Sequence, residues 1–241
     1  MPIPIPGLTR LLTPGPTIDA RDAPSPNQDT RPPGNPIDTL VLHYTGMLSA
    51  KVAIHRLRDP AARVSSHYVV EEDGLVWRLV PEDRRAYHAG ISAWRGHTAL
   101  NDRSIGIEIV NPGHEWGYRP FPARQMSAVC DLCLGILGRH PIPPVNVVSH
   151  SDIAPDRKQD PGELFDWEGL AQNGVGLWPK TEAAPVQPEA VAATLAAIGY
   201  PIPDLPTTLR AFQRRWRPAL VNGEPDEQTR ERLAAVAALY A

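Results

Sequence analysis

Five short runs of strand-forming, mostly apolar residues dominate the middle of the chain: Thr39–Tyr44, Ser66–Val70, Val76–Val80, Ser104–Val110 and Val145–His150. Runs this short and this apolar suit strands buried on both faces of a sheet. Segments with helical spacing separate them. Ser49–Leu57 opens on Ser49 as a cap, and in Ala123–Arg139 the residues Met126, Cys130, Cys133, Leu134 and Leu137 recur along one helical face. Strands interleaved with helices predict an α/β fold with one central sheet flanked by helices. Glu72-Asp73-Gly74 predicts a hairpin between two of the runs, which makes the sheet mixed.

Proline marks the boundaries. Of 28 prolines in 241 residues, ten fall in Met1–Pro36. Proline lacks a backbone donor and fixes φ, so this segment predicts an extended arm, laid over a domain or left mobile, and neither a long helix nor a central strand. A second break at Trp178–Pro188 carries Pro179, Pro185 and Pro188. Beyond it, Glu189–Ile198, Leu205–Trp216 and Asp226–Leu239 predict three short helices, with Gly199 and Gly223 at the reversals and Asp226 as a cap. The plan is an arm over 1–36, an α/β domain over 37–178, a linker over 179–188 and a small all-α domain over 189–241.

Composition excludes several classes of function. With 42% hydrophobic and 21% charged residues the chain has the make-up of an ordinary soluble protein, not of a disordered one. A formal net charge of −3 argues against a nucleic-acid partner bound through phosphate neutralisation. No apolar run approaches the roughly 18 residues of a membrane span. Two cysteines cannot staple a scaffold, and Cys130 and Cys133, inside a predicted helix, read as core packing. Met1–Pro16 has prolines where a secretory signal needs an apolar stretch, so the sequence as written predicts a cytoplasmic protein. No sequence feature sets an oligomeric state.

His43 ends the first apolar run and His150 the last. Catalytic groups of α/β folds gather at the carboxyl ends of strands, where loops open a cleft. Asp160 follows ten residues after His150. Two imidazoles and a carboxylate form a three-ligand set that leaves zinc one open position, and nitrogen and oxygen donors suit Zn²⁺. On spacing alone the alternative is a pair of unrelated surface or hydrogen-bonded histidines.

The motifs Leu42-His43-Tyr44-Thr45, Ser66-His67-Tyr68, Tyr87-His88-Ala89-Gly90, Asn101-Asp102-Arg103-Ser104-Ile105-Gly106-Ile107-Glu108 and Ser149-His150-Ser151-Asp152-Ile153-Ala154-Pro155-Asp156-Arg157-Lys158-Gln159-Asp160-Pro161-Gly162 stand in that order. Their sequence and order resemble the zinc-dependent N-acetylmuramoyl-L-alanine amidases of the AmpD/AmiD type. The resemblance spans roughly Ile37 to Leu177.

It implies His43, His150 and Asp160 as zinc ligands, Glu108 as general base and Lys158 as the cation beside the tetrahedral oxyanion. It further implies Arg63, His88 and Ala89 at the substrate, with Arg63 meeting a stem-peptide carboxylate, and His67 orienting a neighbour. Ser66 stands where a related branch carries tyrosine, and Ala99 where relatives carry arginine. Trp94 and Trp116, in predicted loops, are candidates for stacking on sugars or for packing. The implied substrate is peptidoglycan or a muropeptide, cut between the lactyl group and L-alanine. A non-catalytic peptidoglycan sensor and a zinc hydrolase of another amide are the alternatives.

Leu209-Arg210-Ala211-Phe212-Gln213-Arg214-Arg215-Trp216 and Val221-Asn222-Gly223-Glu224-Pro225-Asp226-Glu227-Gln228-Thr229, followed by Leu233, resemble a three-helix peptidoglycan-binding domain. Such a module favours the periplasm or cell envelope instead of the cytoplasm.

Overall fold

The apolar runs do become strands, stacked so that alternate side chains enter two different cores. The structure, a computed structural model, describes residues 19–241. The first half of the predicted arm, and with it the reading of Met1–Pro16, lies outside the described residues.

From its start the described chain forms β1 (Ala20–Asp22), β2 (Gln28–Thr30), β3 (Thr39–Tyr44), α1 (Ala50–Arg58), β4 (Tyr68–Val70) and β5 (Val76–Arg78). There follow β6 (Arg84–Ala86), β7 (Ala93–Trp94), β8 (His97–Thr98), β9 (Ser104–Ile109), α2 (Gly113–Trp116) and α3 (Ala123–Arg139). Last come β10 (Val147–Ser149), α4 (His150–Ile153), α5 (Trp167–Gln172), α6 (Val191–Ile198), α7 (Leu205–Trp216) and α8 (Glu227–Ala237).

Among the described residues, one sheet runs in the order β1-β5-β4-β9-β3-β10. Its neighbours pair in parallel except at β4–β5, the hairpin expected at Glu72-Asp73-Gly74. Gly74 supplies the turn's positive φ of 90°. The sheet is mixed and helices flank it, as the sequence predicts.

On one face Leu40, Leu42, Val70, Ile105 and Ile107 pack against Val129, Leu132, Cys133 and Ile136 of α3. The inward stripe of α3 differs from the expected one: Gln125, Val129, Leu132, Cys133 and Ile136 are buried, while Met126, Cys130, Leu134 and Leu137 flank them. The reason is polar. The Gln125 amide donates to the carbonyls of Val70 (3.1 Å) and Val110 (2.8 Å) at the strand ends, and this turns the helix. Both cysteines are free thiols.

On the other face Val41 and Val148 join Ile153, Ala154 and Trp94 in one apolar cluster with Leu195, Leu209, Phe212, Trp216 and Leu233 of α6, α7 and α8. The C-terminal helices therefore share a core with the α/β body.

The proline-rich segment contributes strands at the margins. β1 takes the sheet edge beside β5, and β2 pairs with β6. Missing donors are tolerated there. Arg31 reaches inward from this segment and donates to the carbonyls of Asn101 (3.2 Å), Asp102 (3.1 Å) and Ser104 (2.8 Å).

Candidate active site

Adjacent parallel strands place registered residues side by side, and β3 and β9 pair His43 with Glu108. Both lie near the carboxyl ends of central strands. β10, on the other side of β3, ends at Ser149. His150 begins a helix instead of ending the strand, contrary to the sequence reading. Ser149 caps that helix: its Oγ accepts from Asp152 N (2.8 Å), and Asp152 Oδ2 accepts from Ser149 N (2.9 Å). This reciprocal box turns the chain at the strand end and swings the His150 ring toward His43. The Asp160 carbonyl accepts from Ser151 N (3.0 Å), which draws the following loop back over the same point.

Three donor atoms converge there. Nδ1 of His43 is 2.9 Å from Nδ1 of His150, and each is 3.0 Å from Oδ2 of Asp160. All three side chains are buried. The hydrogen bonds behind the rings decide what these atoms offer. Ser104 gives its hydroxyl hydrogen to the Leu100 carbonyl (2.6 Å), so its oxygen accepts from Nε2 of His88 (3.1 Å). His88 then accepts at Nδ1 from Nε2 of His43 (3.0 Å), which leaves the His43 Nδ1 lone pair free. Nε2 of His150 donates to the Ala89 carbonyl (3.2 Å), and a neutral ring keeps its lone pair on Nδ1.

Three lone pairs aimed at one another are mutually repulsive unless a cation lies between them. The donor set, and the backing of each imidazole, is that of a metal site. Burial, with the neighbouring His150 adding to it, pulls the His43 imidazolium down to about 4. Burial and His43 push His88 well below the histidine range. The residues present fit a divalent ion.

Glu108 differs from Asp160. Burial and the Asp160 carboxylate raise its carboxyl well above the usual range, with Lys158 opposing them. Its Oε2 is buried without a hydrogen-bond partner. An unpartnered carboxylate oxygen beside a metal-type donor set is placed to handle a proton of something bound there. Lys158 is half-buried and lines a cleft of about 460 Å³ together with Arg63, Tyr87, Ala89 and His150.

The structure thus brings His43, His150, Asp160 and Glu108 together, with Lys158 on the adjoining wall. Arg63 stands exposed on the cleft with φ 51°. Ala89 meets His150 through its carbonyl. His88 touches the cleft only at its edge, at 8% exposure, and lies mainly behind His43. His67 accepts at Nδ1 from Gly106 N (2.9 Å) and donates to the Arg84 carbonyl (3.1 Å). Trp94 is 2% exposed and packs edge-on to Tyr200, so it is a core residue and not a sugar platform; Trp116 is 53% exposed.

Sequence reasoning gave no role to Asn101, Ser104 or Gly106, although all three stand inside a quoted motif. Asn101 Oδ1 accepts from the backbone of His88 (3.1 Å) and Ala89 (2.8 Å). A Cβ on Gly106 would collide with the His88 ring.

Comparison with known proteins identifies the family. Residues 33–163 match the family model described as N-acetylmuramoyl-L-alanine amidase. The chain is 41% identical over 222 residues to N-acetylmuramoyl-L-alanine amidase AmiD of Escherichia coli, covering 80% of this chain and 79% of that one. It is 34% identical over 174 residues to 1,6-anhydro-N-acetylmuramyl-L-alanine amidase AmpD of the same organism, covering 65% of this chain and 93% of that one. The solved structure of E. coli AmiD with anhydro-N-acetylmuramic acid-L-Ala-D-γ-Glu-L-Lys superposes with a TM-score of 0.77 at 39% identity, covering 86% and 91% of the two chains. With over half its length matched by the family model and a relative 41% identical over most of both chains, this chain belongs to the N-acetylmuramoyl-L-alanine amidase family.

Proposed function

We propose that this chain hydrolyses the amide between the lactyl group of N-acetylmuramic acid and L-alanine, in muropeptides or larger peptidoglycan fragments. The observation that carries the reading is the convergence of the His43, His150 and Asp160 donor atoms beside an unpartnered Glu108 oxygen. Zn²⁺ is the ion proposed for His43, His150 and Asp160; when bound it polarises the amide carbonyl and acidifies water.

The protein's own groups do the rest. Glu108 takes a proton from the attacking water and returns it to the departing amine nitrogen of L-alanine. Lys158 sets its ammonium beside the oxygen that becomes negative, in a site with little water to weaken the attraction. Arg63, on the cleft, is the partner for a carboxylate of the stem peptide, since a guanidinium can bind one with two parallel hydrogen bonds. Ala89 and His88 act on the substrate side chiefly by holding the two imidazoles.

The test is incubation of purified, zinc-loaded protein with anhydro-N-acetylmuramic acid-L-Ala-D-γ-Glu-L-Lys, read by mass spectrometry. Release of the free tripeptide supports the proposal. Zinc binding with intact muropeptide would leave a hydrolase of some other amide; binding of muropeptide without cleavage would leave a sensor.

By its sequence resemblance the C-terminal helical unit is proposed to contact peptidoglycan. Phe212, Gln213 and Gly223 are buried in building that unit, so contact falls to its exposed residues; pull-down on purified sacculi tests it. Wall fragments occur in the cytoplasm and the polymer in the envelope, and cell fractionation separates these two settings. Among the described residues no helix is long and apolar enough to cross a membrane.

A further inference from the structure

Asp152 lies two residues beyond the metal-site residue His150, on the same single-turn helix α4, and it is fully buried. Apart from the cap with Ser149, its carboxylate is held by the C-terminal helical unit. Oδ1 accepts from the Tyr200 hydroxyl (2.7 Å), and Oδ2 accepts from Nη1 of Arg215 (2.7 Å). Tyr200 is itself fixed, since its oxygen accepts from the Trp216 indole (3.0 Å). The Arg215 guanidinium is clamped between the rings of Trp167 and Trp216, at 4.2 and 4.3 Å from their centroids. Next to it, Arg214 donates to Gln159 Oε1 (3.1 Å), the neighbour of Asp160.

Stability alone is a poor reason for this arrangement. Desolvating two charges offsets most of their attraction, and apolar residues of similar volume do as well or better in such places. Nε and Nη2 of Arg215 are also buried without hydrogen-bond partners. What the network does supply is a fixed position. A four-residue helix cannot hold its own orientation. Metal sites depend on donor atoms kept within about 0.5 Å of their place by supporting residues.

We propose that Arg215 and Tyr200 are positioning residues for the His150 imidazole, acting through Asp152, so that the C-terminal helices complete the metal centre of the α/β body. The inference rests on His43, His150 and Asp160 being the metal set.

The experiment measures zinc affinity by chelator competition on the full chain, with thermal unfolding in parallel. The variants are Arg215→Met, Tyr200→Phe and the control Leu195→Ala, which opens the shared core on α6 without touching Asp152. Loss of supporting groups around a metal ligand typically weakens binding by about 10- to 100-fold. The expected result is a loss of about tenfold for Arg215→Met and about threefold or more for Tyr200→Phe. Leu195→Ala lowers the melting temperature and leaves the affinity of the folded protein near wild type. If Arg215→Met does not fold, Tyr200→Phe carries the test, because it removes a single oxygen. Wild-type affinity in Tyr200→Phe, or an equal loss in Leu195→Ala, overturns the positioning role. Absence of zinc binding in the wild type overturns the metal set as well, and so is told apart from failure of this inference alone.

Discussion

Nδ1 of His43 and Nδ1 of His150 lie 2.9 Å apart, although 107 residues separate them in the chain. Each ring is tied at its far nitrogen, one to His88 and the other to the Ala89 carbonyl, so neither lone pair can turn away. The two acceptors face each other and Asp160, a contact that a shared cation relieves.

His43→Ala is expected to lose stoichiometric zinc, measured by elemental analysis of dialysed protein. Glu108→Gln is expected to keep the zinc and lose about 10²- to 10⁴-fold in turnover, the usual contribution of a general base. A Glu108→Gln variant with near-normal turnover of the muropeptide removes Glu108 from the mechanism.

Gly106 is the floor under His88. Gly106→Ala drives a methyl into the imidazole, which has His43 on its other side. Overpacking of this kind costs about 1–3 kcal/mol, and here the displaced ring backs His43, a proposed metal ligand. The variant should melt earlier and bind zinc more weakly. Ser104→Ala should retain more stability but also weaken zinc, because nothing then holds His88 in the form that accepts from His43. Chelator competition on both variants checks this order.

Glu82 sets an acid limit on stability away from the site. Burial would raise its carboxyl, but hydrogen bonds from His140 (2.7 Å), Arg139 and Tyr68 (2.7 Å) hold it well below the usual range. The folded state therefore releases this proton more readily than the unfolded chain does. Its contribution is complete above the unfolded value of about 4.3 and is lost as the pH falls below it. Denaturant titrations from pH 7 to pH 3 should show Glu82→Gln less stable by about 1–3 kcal/mol at pH 7, the range for hydrogen bonds to a charged group. Its deficit should shrink as the pH drops; a constant deficit contradicts the ion-pair reading.

Gln213 belongs to the signature that resembles a peptidoglycan-binding domain, yet its amide is wholly internal. Its Nε2, with two hydrogens, lies within hydrogen-bond distance of Asn222 Oδ1 (3.0 Å), the Glu224 carbonyl (3.0 Å) and Thr229 Oγ1 (3.1 Å), and its oxygen accepts from the backbone of Asn222 (3.0 Å) and Gly223 (2.8 Å). Gly223 is needed beside it, with φ 81° and a Cβ position only 2.7 Å from the Pro206 carbonyl. Gln213→Ala should cost about 2–4 kcal/mol, because several buried groups lose partners at once. Urea unfolding measures that loss, and sacculus binding by the protein that remains folded should be unchanged.

The alternation of apolar runs and helical segments was enough to establish the layered α/β plan, the Asp73-Gly74 hairpin and the extent of α7, Leu205–Trp216. These features follow from local rules: strand period, helix period, turn chemistry and capping act over a few residues. The residue types of the site were legible as well, because the motifs carry them in order. Which nitrogen of each histidine faces the centre was not. That depends on Ser104, His88 and the Ala89 carbonyl, groups brought together by parallel pairing of β3 with β9 and by the loop held on Asn101.

The same holds for the α3 stripe, turned by Gln125 reaching two strand ends, and for Trp94, which shares an apolar cluster with the C-terminal helices about a hundred residues downstream. Asp152 and Arg215 are the clearest case. Each reads along the chain as an ordinary charged residue, and only the packing of α7 across α4 makes them a pair. Sequence spacing encodes what one element does with its own neighbours. Contacts between elements depend on how twisted, close-packed layers meet, and no local pattern carries that information.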